Sequence, residues 1–326
     1  MSANTITSPE RRSYDLAIIG GGPAGLSAAI YAARAGLKLV ILEAALPGGK
    51  VGLTSTVENW PGQKSIGGAD LAMAFYDHAS ADEHCTYINT RVTGLRDLGA
   101  WKELQSDDGV LRAKAVLIAS GSVERKLGIP GEAEFYGQGV SYCAVCDGAF
   151  FRDRKVVVIG GGNTAFEDAD YLTRFAAHVT VVTRRSVSRA DRVNQEKLMQ
   201  NPKIEWIKGY KPTEILGNPL EGVRGIRIVP SEGGDVRELP CDAVFPLVGL
   251  IPKTDFLGSM PEILNKEGFI VTDESMRTAK AGVYAAGDVR AKGLRQIVTA
   301  AADGAIAAQR IAADLDAWSE GAGIPS

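Results

Sequence analysis

The 326-residue chain has no surplus of either charge: 36 Lys and Arg face 39 Asp and Glu, for a net charge of −3. Such a balance leaves no polyanion-binding footprint, so nucleic acid is not an expected partner. Long uninterrupted apolar runs are missing too. The most apolar stretch, residues 24–45, contains Arg34 and Lys38, both costly at a bilayer centre, so no membrane association is expected. The opening MSANTITSPERR lacks the apolar core of an export signal, and there are only four cysteines. The expected setting is therefore the reducing cytoplasm, where a close cysteine pair points to catalysis or metal binding rather than a structural staple. Glycine shows no three-residue period, which excludes collagen, and 45% hydrophobic with 23% charged residues excludes disorder.

What the chain does have is length for about two domains and a high glycine count, 38 residues. Abundant glycine implies tight turns and close backbone approaches. Comparing the chain with itself shows where. YDLAIIGGGPAGLSAAIYAARAG, from Tyr14, is echoed by KVVVIGGGNTAFEDADYLTRFA, from Lys155. Each copy opens on an apolar run too short for a helix, read as a buried parallel strand, then passes through three glycines into a helical period. The copies lie 140 residues apart, measured from Gly20 to Gly160, too far for a solenoid repeat. Two nucleotide-binding βαβ units are expected.

The spacing is mechanical. Gly20, Gly22 and Gly25 form GxGxxG, with Pro23 and Ala24 opening the helix; Gly160, Gly162 and Ala165 form GxGxxA around Asn163 and Thr164. The first glycine makes the turn and the second lets backbone approach a pyrophosphate. The third small residue lets helix pack on strand. The pyrophosphate then meets the N–H groups and positive dipole end of the helix.

The ends of the second strands separate the ligands. LKLVILEAA ends in Glu43, 18 residues beyond Gly25, and an acid there suits an unphosphorylated adenosine ribose. HVTVVTRRSVSRA ends instead in Arg184 and Arg185, with Arg189 beyond. Guanidinium groups there suit a 2′-phosphate and hence NADPH, against the plainer reading of a solvated helix start.

Cys143-Ala-Val-Cys146-Asp147 lies upstream of the second loop. A CxxC can be half a zinc site, a redox dithiol or a coincidence. Cys85, Cys241, His78, His84 and His178 show no ligand spacing, so no metal is expected and the redox reading leads. His84 and Cys85 read as a surface-helix histidine and a small core thiol. Asp147 is a candidate proton donor or acceptor for a departing thiolate, in competition with a plain turn role.

Five blocks in order then resemble the low-molecular-weight thioredoxin reductases: IIGGGPAG, TVENWPG (56–62), CAVCDG (143–148), GGGNTAFEDA with TRRSVSR, and GVYAAGDVRAKGLRQIVTAAADGAIAA (282–308). The resemblance implies an α/β fold of two Rossmann-like domains, with an NADPH domain (122–248) carrying the dithiol, inserted into a discontinuous FAD domain (1–121 and 249–326). It implies electron flow from NADPH through FAD and the dithiol to thioredoxin. Cys146 would face the flavin, Cys143 would attack thioredoxin, and Asp147 would manage the proton. Asp288, after Gly287, would contact the ribityl and phosphate region. Arg295, Gln296 and Ile297 would lie along the flavin with Asn59, Gly49 and Lys50, while Ala119–Gly121 and Val248-Gly249 would form the crossovers. Thr183, Lys50 and Val145 stand where the family usually has His, Gln and Thr. The family is typically homodimeric. A reductase of a glutaredoxin-like or peroxiredoxin-linked carrier, and a nucleotide sensor without turnover, are the competing functions.

Overall fold

The computed structural model of the chain describes residues 13–54 and 56–320. In chain order, β1 (Ser13–Ile19) passes through the first glycine loop into α1 (Pro23–Arg34) and then β2 (Leu39–Glu43). The short strands β3 (Thr56–Val57) and β4 (Ile66–Gly67) precede α2 (Gly68–Ser80) and β5 (Cys85–Asn89). Then come β6 (Val92–Asp97), β7 (Lys102–Ser106), β8 (Gly109–Ile118) and β9 (Ser122–Glu124). The CxxC forms a single helical turn, α3 (Ala144–Asp147). The second glycine loop follows with β10 (Lys155–Ile159), α4 (Asn163–Leu172), β11 (His178–Thr183), α5 (Arg192–Gln200) and β12 (Ile204–Lys208). The remaining elements are β13 (Tyr210–Asn218), β14 (Gly222–Pro230), β15 (Arg237–Pro240), β16 (Ala243–Pro246), β17 (Leu250–Pro252), β18 (Val283–Ala285) and α6 (Ile297–Ser319).

These elements divide into two compact units. One runs up to Val123 and resumes at Ile251; the other is Glu124–Leu250. In the first, the sheet order is β5-β2-β1-β8-β7-β6, with β18 also on β8. The pairs of β1 with β2 and β8, of β2 with β5, and of β8 with β18 are parallel. Alternate residues of β1 feed opposite sides of this sheet: Leu16 and Ile18 join one core with α1 and α6, while Ala17 and Ile19 join the other. Burial on both faces explains why β1 reads as a continuous apolar run rather than an alternating one.

The second unit is built on a fully parallel sheet, β12-β11-β10-β16, and an antiparallel β13-β14-β15 ladder. Parallel strands place both glycine loops at the carboxyl ends of their sheets, where open α/β folds bind ligands.

Two local expectations are corrected. The crossover strands begin later than the sequence suggests, at Ser122 and Leu250, because Gly121 and Gly249 turn the chain first with φ of +76° and +115°. His84 lies in the turn before β5, not on a helix; its backbone N–H donates to Asp82 Oδ1, which also lies 2.9 Å from its ring Nδ1.

Candidate active site

The first glycine loop is fixed from below by a carboxylate. Glu43, at the end of β2, accepts from the Gly21 N–H through Oε2 (2.6 Å) and from the Ala45 N–H through Oε1 (2.9 Å). The loop also takes the space that side chains would occupy: a Cβ on Gly20 would stand 2.4 Å from the Ala119 carbonyl oxygen, and one on Gly25 1.9 Å from the Gly20 carbonyl oxygen. Gly22, at the cap of α1, faces open space, with Pro23 and Ala24 opening the helix behind it. The first turn of the helix, whose N–H is missing at Pro23, thus starts from a residue with no side chain to screen its positive end.

Residues distant in sequence gather around this loop. The Gly48 N–H donates to Gly21 O (2.7 Å), and a Cβ on Gly49 would meet Gly22 Cα at 3.3 Å. Lys50 Nζ lies 4.0 Å from Asp288 Oδ2. Gly287, left-handed at φ +77°, brings the turn ahead of Asp288 against Ala24, and Arg295 donates to the carbonyls of Asp288 and Arg290. Asn59 Nδ2 donates to Gln296 Oε1 (3.0 Å), and Ile297 packs on the small apolar cluster of Val51, Val57, Leu71 and Ala72. Burial raises the Asp288 carboxyl above its ordinary value, against the pull of Lys50, Lys292 and Arg295.

The structure thus brings Gly20, Gly22, Pro23, Ala24, Gly25, Glu43, Gly49, Lys50, Ala119, Gly287, Asp288 and Arg295 around one loop, with Asn59, Gln296 and Ile297 forming an adjoining group. Gly121 lies beyond Ala119 with open space around it. The open glycine cradle, the helix end and the cations beside it fit an adenine dinucleotide. Asp303 of α6 was not anticipated. Its Oδ2 accepts from the Gly287 N–H (2.9 Å) and from Lys292 (2.8 Å) and lies 3.0 Å from Arg290. Nothing in the alanine-rich sequence of α6 marks this residue except that it is acidic and falls on a buried helix face.

The second loop repeats the geometry with different side chains. A Cβ on Gly160 would stand 2.3 Å from Leu247 O, Ala165 is fully buried, and Gly162 again faces open space. Asn163 is turned toward α5: its Oδ1 accepts from the Asp191 N–H and its Nδ2 donates to Asp191 Oδ2, while Thr164 is exposed. Arg184, Arg185 and Arg189 are exposed and make no ion pair with an acid among the described residues. The Arg189 N–H and the Ser188 hydroxyl both donate to Gly161 O, so the arginine turn and the glycine loop are laced together. Open glycine and unneutralised guanidinium groups fit a dinucleotide bearing an extra phosphate.

In the same unit Cys143 and Cys146 form a disulfide, with their Cα atoms 5.3 Å apart. Cys143 caps the turn α3 and is half-buried; Cys146 is exposed. Buried Ser141 ties the turn to its acid: its hydroxyl donates to Asp147 Oδ2 (2.5 Å), and its oxygen accepts from the Cys143 N–H (3.1 Å). Sequence reading had no signal for Ser141 beyond its place two residues before the first cysteine. The other cysteines are unsuited to exchange: burial, with Asp82 nearby, pushes the Cys85 thiol up to about 11, and burial, with Asp242 nearby, pushes Cys241 up to about 12. No group of three or more His, Cys, Asp or Glu side chains able to hold a metal occurs among the described residues, and no helix there is long and apolar enough to cross a membrane.

Comparison with known proteins gives a consistent picture. The profile of the family described as pyridine nucleotide-disulphide oxidoreductase matches residues 14–304. A thioredoxin reductase of Listeria innocua is 44% identical over 300 residues, covering 92% of this chain and 93% of its own. One from Bacillus subtilis is 41% identical over 302 residues, covering 93% and 95%. The crystal structure of the thioredoxin reductase from Streptococcus pyogenes superposes with a TM-score of 0.87 at 44% identity, over 94% of this chain and 99% of that one.

Proposed function

The chain belongs to the thioredoxin reductases among the pyridine nucleotide-disulphide oxidoreductases, and from that premise we propose a division of labour between its two units. The unit of β1, α1 and α6 holds FAD, and the inserted unit holds NADPH and the dithiol. The protein is an NADPH-dependent flavoprotein that reduces the disulfide of thioredoxin. The observation that carries this reading is the Cys143–Cys146 disulfide, placed with its own acid in the unit whose glycine loop is tied to a turn of arginines that pair with no acid among the described residues.

When bound, NADPH supplies a hydride to FAD, and FAD supplies two electrons that open the Cys143–Cys146 disulfide. The protein's own groups do the rest. Glu43, its two oxygens already fixed by backbone N–H groups, would hold the adenosine ribose of FAD, and Lys50 and Arg295, both beside Asp288, would supply positive charge for its phosphates. Arg184, Arg185 and Arg189 select NADPH by its 2′-phosphate. Cys143 attacks one sulfur of the thioredoxin disulfide to form a mixed disulfide. Cys146 then attacks Cys143, reforms the intramolecular disulfide and releases the second thioredoxin sulfur. The two protons of the dithiol end on the two thioredoxin thiols, with Asp147 carrying one and Ser141 holding that carboxylate in place. We further propose a homodimer formed through the FAD unit, working in the cytoplasm.

Cys143→Ser tests the roles. It should leave flavin reduction by NADPH intact and abolish thioredoxin reduction. Loss of both half-reactions, or of neither, would overturn the assignment.

A further inference from the structure

Thr183 stands at the end of β11, directly ahead of the paired arginines, and its surroundings are specific. Thr183 is buried, and its hydroxyl donates to Arg185 O (3.1 Å) while accepting from the Trp206 indole N–H (3.1 Å). Trp206 stands on β12 and packs edge-on against Phe166 of α4, ring centroids 5.0 Å apart, on the side of the sheet that faces the glycine-loop helix. Two residues on, and therefore on that same side, Lys208 sets its ammonium over the indole, 3.7 Å from the ring centroid.

Backbone register puts Lys208 directly opposite Thr183, one strand spacing (about 4.8 Å) from the residue that leads into Arg184. A second clip holds the two chain ends together: the Ser231 N–H donates to Gly209 O (2.7 Å) and its hydroxyl to Arg184 O (2.6 Å). Lys208 is exposed and, like the three arginines, is neutralised by no acid among the described residues. An indole face attracts an ammonium group but accepts no hydrogen bond of carboxylate or phosphate strength, so the N–H donors of Lys208 that point away from the ring stay available.

We propose that Lys208, staged on the ring of Trp206, is a fourth cationic contact for the 2′-phosphate of NADPH and a determinant of its selection over NADH. The inference rests on the reading of Arg184, Arg185 and Arg189 as the 2′-phosphate site and adds to it a residue from the neighbouring strand. Lys208 stands at the end of β12, on the flank of β11 opposite β10 and the glycine loop to which Arg189 is tied.

The test is calorimetric binding of 2′,5′-ADP and of 5′-AMP to the FAD-loaded protein, comparing wild type, Lys208→Met, Lys208→Arg and the Arg184→Ala/Arg185→Ala double variant. Methionine keeps the stem over the indole and removes only the charge. Lys208→Met should weaken 2′,5′-ADP about three- to tenfold, as expected for an exposed charge-assisted contact, with 5′-AMP unchanged. Lys208→Arg should restore most of that loss. Unchanged 2′,5′-ADP binding in Lys208→Met, or equal weakening of both ligands, overturns the proposal. If the arginine double variant loses 2′,5′-ADP selectively while Lys208→Met does not, only the lysine falls. If the double variant shows no selective loss, the arginine site itself is wrong and the lysine goes with it.

Discussion

The Ser141 hydroxyl donates to Asp147 Oδ2 at 2.5 Å while its oxygen accepts the backbone N–H of Cys143, so one buried side chain fixes both the acid and the first cysteine of the CxxC turn. The arrangement makes Asp147 a positioned group rather than a plain turn residue. Asp147→Asn should slow the reaction of the reduced enzyme with thioredoxin by about 100-fold, the lower end of general acid–base effects. Flavin reduction by NADPH should keep its rate. Stopped-flow traces of the two half-reactions separate these outcomes, and an unchanged thioredoxin step returns Asp147 to a structural role. Ser141→Ala should show a smaller loss in the same step and cost about 1–2 kcal/mol of stability, because a buried N–H loses its acceptor.

Thiol accessibility should be all or none. With Cys85 pushed up to about 11 and Cys241 to about 12, neither is a thiolate near neutrality. Iodoacetamide at pH 7.5 should add nothing to the oxidised protein, and should label only Cys143 and Cys146 once the disulfide is reduced. Peptide mass spectrometry reads both states. Labelling of Cys85 in the oxidised protein would contradict the burial argument.

Much of this site was legible in the sequence, and the reason is steric. Glycines that must avoid a carbonyl, as Gly25 avoids Gly20 O and Gly160 avoids Leu247 O, leave a recognisable spacing of glycine and other small residues. The charge at the end of the second strand of each unit, Glu43 or Arg184-Arg185, was equally readable because strand and loop are contiguous. Contacts that join distant segments were not readable. Ser141 under Asp147, Asp303 beneath Gly287 and Trp206 against Thr183 depend on which helix face or strand edge meets which loop, and local pattern carries no such information. The crossover strands were displaced by a few residues because a positive-φ glycine ends one direction of chain before the next strand begins.

Asp314 anchors α6 to the first unit. Burial pushes its carboxyl up, but donation from Arg277, Arg310 and Tyr284 brings it down to about 2. A depressed folded value means the stabilisation is complete above the unfolded value near 4 and is lost as pH falls from about 4 to about 2. Asp314→Asn should cost about 3 kcal/mol at pH 7, since two guanidinium groups lose their anion. The variant should also lose the extra acid sensitivity of the wild type. Urea midpoints at pH 7 and pH 3 check both statements; an equal cost at both pH values would contradict them.

Tyr87 offers the opposite case. Its buried hydroxyl finds no hydrogen-bond partner among the described residues, lying near Gly21 and Glu43, and burial raises its ionisation well above the ordinary phenol range. Removing an unpartnered buried hydroxyl relieves a desolvation cost, so Tyr87→Phe should leave stability unchanged or raise it by about 1 kcal/mol. A clear loss in thermal midpoint would show that the hydroxyl has a partner.

The most direct test of the whole electron path is an anaerobic titration of the FAD-loaded protein with NADPH, followed by oxidised thioredoxin, monitored through the flavin absorbance. The account predicts bleaching at low NADPH concentration, much weaker bleaching by NADH, and recovery of the oxidised spectrum when thioredoxin is added. Bleaching that thioredoxin does not reverse, or a flavin that NADPH leaves oxidised, would contradict it.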